Sequence, residues 1–266
     1  MRFSIVVVCL NPGEKLNQTL DSVLSQTCGD YEIVVKDGGS RDGSVEMMRA
    51  DAKIRFYQER DGGIYEAMNQ AVSHSKGDFV LFLNCGDFFP DEKVLERTAS
   101  YIDKEAAMGT DLSGLVLYGD TLGEKNGVVI TSPPRIDGFT CYRNIPCHQS
   151  CFYSRKLCLD RPYNPVFRIR ADYDHFLWCY YRAGAKFVHM DFAAASYEGG
   201  GYSESRENRK RDRQEHKQIT SAYMGRGELL KYKTVMACTL APLRRAMAES
   251  RFFSKFYHGL KRLIYH

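Results

Sequence analysis

Residues 3–10, FSIVVVCL, form an unbroken β-branched and apolar run, and three more runs follow at short intervals: YEIVV (31–35), IRFY (54–57) and FVLFL (79–83). The first of these runs, like the last, reads as a strand covered on both faces, the usual state of a strand in a parallel sheet. Between the first two runs, Leu16, Leu20, Val23 and Leu24 recur at helical spacing. Between the last two, Ile64, Met68, Ala71 and Val72 do the same. VEMMRA (45–50) predicts the start of a further helix after the second run. Alternation of this kind predicts an α/β fold, with a mostly parallel central sheet and helices on both faces.

The middle of the chain predicts strands at 114–120 and 127–132, and a third within 147–155. Residues 171–184, ADYDHFLWCYYRAG, predict a helix with Phe176, Leu177, Tyr180 and Tyr181 on its apolar side and Gly184 near its end. A late strand region follows over 185–198, then a highly charged helix or segment over 205–219. The final stretch, RFFSKFYHGLKRLIYH (251–266), places Phe253, Phe256, Tyr257, Leu260, Leu263 and Ile264 on one helical stripe, with Arg251, Lys255, Lys261 and Arg262 over much of the remainder. A basic amphipathic helix with aromatics suits an anionic lipid interface; docking of the stripe on protein is the alternative.

Charge sharpens that division. The net charge of +4 is too mild to argue for nucleic acid, but residues 226–266 carry nine Lys/Arg and two Asp/Glu, which leaves the first 225 residues slightly acidic. The expected organisation is a main domain over 1–225 and a basic helical extension over 226–266. The odd count of nine cysteines, several in apolar runs, reads as free thiols in a reducing compartment. Cys141, Cys147, His148, Cys151 and Cys158 could suggest zinc, but their spacings lack a paired C-x-x-C. The apolar run at the start is too short for a signal peptide, and no stretch of 18 apolar residues occurs, so a cytoplasmic protein without a spanning helix is expected.

Three predicted strands deliver an acid to their carboxyl ends: Asp37, Asp61 and Asp87 follow the second, third and fourth, each among glycines. In open α/β sheets, ligands bind beyond that edge. Converging carboxylates repel unless a cation or ligand donors lie between them, and Mg²⁺ or Mn²⁺ bridging a diphosphate would satisfy hard oxygen ligands. Each acid taken singly also reads as a turn residue. KDGGSRDGS (36–44) is neither a dinucleotide fingerprint nor a Walker loop.

The joint order of these segments resembles the family 2 glycosyltransferases of GT-A fold, over about residues 3–205. SIVVVCLN is similar to the opening strand of that family, and LDSVLSQTCGDYEIVVKDGGSRDGS to its second signature. ERDGGIYEAMNQAVSHSKGDFVLFLNCGD resembles a branch associated with bacterial exopolysaccharide and colanic-acid-type synthesis. CHQSCF, ADYD and GGGYS follow at similar intervals. The resemblance implies a metal-dependent, inverting transfer of a sugar from a nucleotide-diphosphate donor, with uridine the frequent base. The acceptor would be a glycan or polyprenyl-linked sugar, and the setting a cytoplasmic membrane face reached through the tail.

By that resemblance Asn11, Asp37, Gly38, Asp61 and Asn84 lie on the nucleotide side. Asp87 is the metal ligand for Mg²⁺ or Mn²⁺, and Asp172 the catalytic base. His148, Gln149, Arg170, Gly200 and Ser203 serve acceptor or phosphate. The chain departs from the family pattern at Asn84 and Gly86, where the D-x-D motif carries acids, at Gly38, which replaces a second Asp, and at Ala171, which replaces a Glu. Asp172 also reads as a helix-start residue, His148 as a structural histidine, and Arg170 as a solvated cation. Two other functions stay open: a non-catalytic nucleotide-sugar-binding partner, and a sugar-nucleotide nucleotidyltransferase. The latter wants a Gly-rich basic loop after the first strand, where LNPGEKLNQ offers only Pro12-Gly13 and Lys15.

Overall fold

The computed structural model describes residues 1–124, 127–197 and 208–238. Met1–Ile219 form one compact unit and residues from Thr220 onward a second. Gly200, Ser203 and the 251–266 stripe lie outside the described residues.

The first half alternates as its sequence predicts: β1 (Phe3–Cys9), α1 (Lys15–Leu24), β2 (Tyr31–Asp37), β3 (Ile54–Gln58), α2 (Ile64–His74), β4 (Phe79–Phe82) and α3 (Val94–Ala107). The second half adds β5 (Leu115–Gly123), β6 (Val128–Ile130), α4 (Gly138–Arg143), β7 (Cys151–Ser154), α5 (Arg155–Asp160), α6 (Ala171–Tyr181), β8 (Lys186–Tyr197), α7 (Asn208–Tyr223) and α8 (Arg226–Cys238). Among the described residues no helix is long and apolar enough to cross a membrane.

One sheet runs in the order β3-β2-β1-β4-β7-β5-β6, with β8 paired to β5. The β3, β2, β1 and β4 strands are parallel neighbours, Phe3 standing opposite both Tyr31 and Phe79. The β7 strand enters antiparallel between β4 and β5, and β8 returns parallel to β5. The core follows from the unbroken runs: Ile5, Val7, Ile33, Val35, Leu81 and Leu83 are fully buried and meet Leu16, Leu20 and Val23 of α1.

Two local expectations give way. VEMMRA forms no helix; residues 42–47 are bends and turns. Its polar groups are satisfied sideways instead. Asn17 of α1 donates to Met47 O (2.8 Å) and accepts from Arg49 N (2.9 Å), while Arg49 pairs with Asp21 (2.7 Å). Six residues make less than two turns, too few to nucleate a helix against such ready partners. The expected strand over 147–155 is confined to Cys151–Ser154, because His148–Ser150 form a single 3₁₀ turn.

Gly77 sets the close approach of the β4 entry to β1. A Cβ there would lie 2.5 Å from the Phe3 carbonyl carbon and 2.6 Å from Ser4 N, both backbone atoms. Gly77→Ala is therefore expected to destabilise the fold by about 1–3 kcal/mol through overpacking. Urea unfolding measures this, and a wild-type midpoint would contradict it.

Candidate active site

Because β1 to β4 run parallel, Asp37, Asp61 and Asp87 all follow strand carboxyl ends on the same rim of the sheet. The rim carries two groups of side chains.

The first surrounds Asp37, the last residue of β2, which is fully buried. Gly39 N and Ser40 N each donate to its Oδ2 at 2.8 Å, Gln58 Nε2 donates to the same oxygen at 2.9 Å, and the Ser40 hydroxyl donates to Oδ1. Burial works to raise the pKa of this carboxyl, but the Ser40, Gln58 and Gly39 bonds outweigh it and hold the group below its ordinary value. Asn11 sits at φ 50°, a conformation Asn tolerates better than most residues. Its N–H donates to Ser40 Oγ (2.7 Å) and its Oδ1 accepts from Arg41 N (2.9 Å). Asn11 therefore ties the β1 exit to the Gly-rich turn.

Asp61 is held from below. Lys36, fully buried near the end of β2, donates its Nζ to Asp61 Oδ2, and Gly63 N donates to Oδ1 at 3.0 Å. A Cβ on Gly38 would stand 3.0 Å from that same Oδ2. The space beside Gly38, where the family pattern puts a second acid, is thus taken by the Asp61 carboxylate.

The second group gathers where β4 ends. Thr19 of α1 pins the turn from Asn84 to Asp87: its hydroxyl accepts from Gly86 N and donates to Asp87 O, both at 2.9 Å. Gly86 has φ 96°, a region that excludes an acid side chain at this point of the turn without strain. Gln149 Nε2 donates to Asp87 Oδ2 at 2.9 Å. Asn84 Nδ2 lies 3.4 Å from His148 Nε2, and Asn84 Oδ1 is a buried acceptor without a hydrogen-bond partner among the described residues. His148 Nδ1 in turn lies 3.4 Å from Asp172 Oδ2.

Asp172, in the first turn of α6, receives the Tyr65 hydroxyl at Oδ1 (2.9 Å), which also faces Ile169 O at 2.6 Å. Burial pushes the Asp172 carboxyl up, but the contacts with His148 and Tyr65 prevail and keep it below the usual carboxylate value. The loop before α6 is clamped by Glu215 of α7, whose carboxylate accepts from the backbone N–H groups of Arg168, Ile169 and Arg170, all at 3.0 Å.

Asn84, His148 and Asp172 therefore form one chain of side-chain contacts, and Asp87 and Gln149 a separate pair. Arg170 joins neither: its guanidinium is engaged by Asp212 in a bidentate pair (2.7 and 3.1 Å) and lies over Tyr173. Sequence reasoning passed over Tyr65, Lys36, Thr19 and Glu215. Tyr65 carried a signal, directly after Gly63-Ile64 at a helix start, but Lys36 and Thr19 look like ordinary polar positions until the fold buries them.

Among the described residues no three His, Cys, Asp or Glu side chains gather as a metal-holding group. Asp87 offers one hard carboxylate oxygen set, which fits an ion that takes its other ligands from phosphate and water, as Mg²⁺ and Mn²⁺ do.

The sequence from 4 to 153 matches the model of glycosyl transferase family 2. The chain belongs to that family. Over 208 residues it is 34% identical to a PGL/p-HBAD biosynthesis glycosyltransferase of Mycobacterium tuberculosis, covering 76% of this chain and 78% of the relative. It is 33% identical to the glycosyltransferase AglE of Haloferax volcanii over 118 residues, 42% of this chain and 38% of that one. Among solved structures, Staphylococcus aureus TarS 1–349 superposes with a TM-score of 0.62 at 22% identity, covering 74% of this chain and 60% of TarS 1–349. The mannosyltransferase PcManGT of Pyrobaculum calidifontis, solved with GDP-Man and Mn²⁺, gives 0.62 at 15% identity, covering 98% of this chain and 87% of that one. The mostly parallel sheet flanked by helices is thus the GT-A arrangement.

Removing Asp61 strands a buried ammonium. Asp61→Ala is expected to cost about 3–5 kcal/mol, the range for breaking a buried ion pair from one side. A double change of Lys36→Met with Asp61→Leu should recover most of that loss in urea unfolding. Equal stability of Asp61→Ala and wild type would show that Lys36 does not depend on this carboxylate.

Proposed function

We propose that the chain is an inverting glycosyltransferase that moves a sugar from a nucleotide-diphosphate donor, a UDP-sugar in the first instance, to a glycan or polyprenyl-linked acceptor of the cell surface. The observation that carries this reading is the pairing, on one rim, of the Asp37 cradle with the Asn84–His148–Asp172 chain in a member of this family. Relatives described as acting in PGL/p-HBAD biosynthesis, and the TarS complex with UDP-GlcNAc, support a nucleotide-sugar donor and a surface-glycan role.

In this reading the base and ribose lie against Asp37, Gly38 and Asn11. Asp37 is held ionised by its own hydrogen bonds and fixes the Gly-rich turn against which base and ribose would lie. Asn84 Oδ1, a buried acceptor in want of a donor, meets a hydroxyl of the nucleotide sugar. Asp87 would hold Mg²⁺ or Mn²⁺, which when bound neutralises charge on the departing diphosphate. The Mn²⁺ complex of PcManGT supports that ion. Asp172 would act as the base that takes the acceptor's proton, on the side of the anomeric carbon opposite the leaving group. The basic stretch after Arg226 is proposed to hold the enzyme against anionic lipid at the cytoplasmic face, where a polyprenyl acceptor would be found.

Thermal shift and donor turnover test the reading together. UDP with Mn²⁺ at 100 times its Kd should raise the wild-type midpoint by about 5 °C or more. Asp87→Ala should lose the Mn²⁺-dependent part of that shift. Asp172→Asn should keep it while UDP release from a UDP-sugar falls at least ~100-fold. Binding without turnover in the wild type would favour a non-catalytic nucleotide-sugar-binding partner.

A further inference from the structure

Helix α7 reads NRKRDRQEHKQITSAY, and its charges sort by face. Its lysines and arginines, Arg209, Lys210, Arg211, Arg213 and Lys217, are all exposed. Its two acids, Asp212 and Glu215, lie three residues apart and turn toward the protein with His216 and Ile219; Glu215 is buried at 6% exposure. A carboxylate costs free energy to bury unless its oxygens are hydrogen-bonded. Those of Glu215 meet three successive backbone N–H groups: Arg168 N donates to Oε1, and Ile169 N and Arg170 N donate to Oε2, each at 3.0 Å. Successive N–H groups that converge in this way form an anion-binding cup, and here Glu215 fills it.

The cup sits at the start of α6. Arg170 is the residue before that helix, its carbonyl accepts from Asp174 N (2.9 Å), and Asp172 is the second residue of the helix. Fixing Arg170 N therefore fixes where α6 begins and where the Asp172 carboxylate stands. Helix α2 holds the same loop from another side, because the Tyr65 hydroxyl lies 2.6 Å from Ile169 O and 2.9 Å from Asp172 Oδ1. Helix α7 adds two further grips beside Asp172: the Asp212 pair with Arg170, and the His216 ring stacked on Tyr173 (5.3 Å, 17°). The nucleotide side is anchored elsewhere, with Asn11 and Asp37 bonded to the Gly-rich turn after β2 and Asp37 also to Gln58 of β3.

We propose that Glu215 is a positioning residue for the transfer step: by holding the N–H groups of residues 168–170 it sets the reach of Asp172 toward the acceptor hydroxyl, and it leaves donor binding alone. The inference rests on the glycosyl-transfer reading above, in which Asp172 is the base. The acceptor oxygen forms a bond to the anomeric carbon of the donor sugar. The bond from that carbon to the diphosphate oxygen breaks, its electron pair leaves with the diphosphate, and the hydroxyl proton passes to Asp172. A base must come within hydrogen-bond reach of the proton it takes, and a displacement of about 1 Å costs on the order of 100-fold in rate.

The test measures UDP release from UDP-glucose, UDP-galactose and UDP-GlcNAc with Mn²⁺ on the full chain, water standing in for the acceptor, alongside the UDP thermal shift. Glu215→Gln keeps the size of the side chain but turns an amide NH₂ toward N–H groups that a carboxylate had accepted from. Its kcat should fall at least ~10-fold while KM for the UDP-sugar stays within about twofold and the UDP shift is retained. Glu215→Ala empties the cup. Formate, a carboxylate small enough to enter it, should raise the kcat of that variant at least ~5-fold where chloride at the same ionic strength does not. Formate should do nothing for Glu215→Ala combined with Asp172→Asn, because the effect passes through Asp172.

The proposal is overturned if Glu215→Gln turns over within about threefold of wild type, or if its KM rises and its UDP shift is lost together with kcat. It is also overturned if formate fails to rescue a Glu215→Ala variant that retains the UDP shift. Glu215→Gln decides the matter where Glu215→Ala alone fails to unfold cooperatively in urea; failure of both would make Glu215 a residue of the fold alone and end the proposal. Wild-type protein that binds UDP but releases none from any donor would instead defeat the glycosyl-transfer reading itself, and the assignment of Glu215 with it.

Discussion

The position of β1 between β2 and β4 is the constraint on which the rest depends. Its seven residues pair in parallel register with Tyr31–Asp37 on one side, and its first four with Phe79–Phe82 on the other. Parallel pairing makes the strands end together, so the loops that follow them must share one rim, and the unbroken apolar runs bury both faces so completely that the register cannot slip without exposing them. Carboxylates that lie 24 and 26 residues apart in sequence are thereby brought to one edge.

What distinguishes those carboxylates is how each is held. Asp37 is satisfied by backbone and side-chain donors within its own turn and by Gln58 from the neighbouring strand. Asp61 is committed to the buried ammonium of Lys36 and fills the space that a larger residue at 38 would need. Asp87 is braced by Thr19 through the backbone and by Gln149 through its side chain. One edge therefore holds a carboxylate closed within its own turn, one paired with a buried ammonium, and one braced by Thr19 and Gln149. A Cβ at position 38 would press on the Asp61 carboxylate, and Gly86 holds a positive φ that other residues adopt only with strain.

Much of this was legible in the sequence. The apolar runs at 3–10, 31–35 and 79–83 and the helical spacing of Leu16, Leu20 and Val23 dictated β1, β2, β4 and α1, because burial on both faces leaves little choice of pattern. The sharing of an edge by Asp37, Asp61 and Asp87 followed from strand order alone. The failures lie where tertiary partners outbid local preference. VEMMRA has helical character, but Asn17 and Asp21 take its polar groups. The 147–155 run hides a 3₁₀ turn that swings His148 toward Asp172. Lys36, a charged residue in a strand that buries every position, could be read only once Asp61 was seen above it.

Diffraction from crystals grown with UDP and Mn²⁺, measured at the manganese absorption edge, addresses the central claim most directly. The account predicts one strong anomalous peak beside Asp87, with the uracil and ribose lying against Asp37 and Asn11 on the same rim. A manganese ion or a nucleotide bound away from that edge, with the rim left bare, would contradict it.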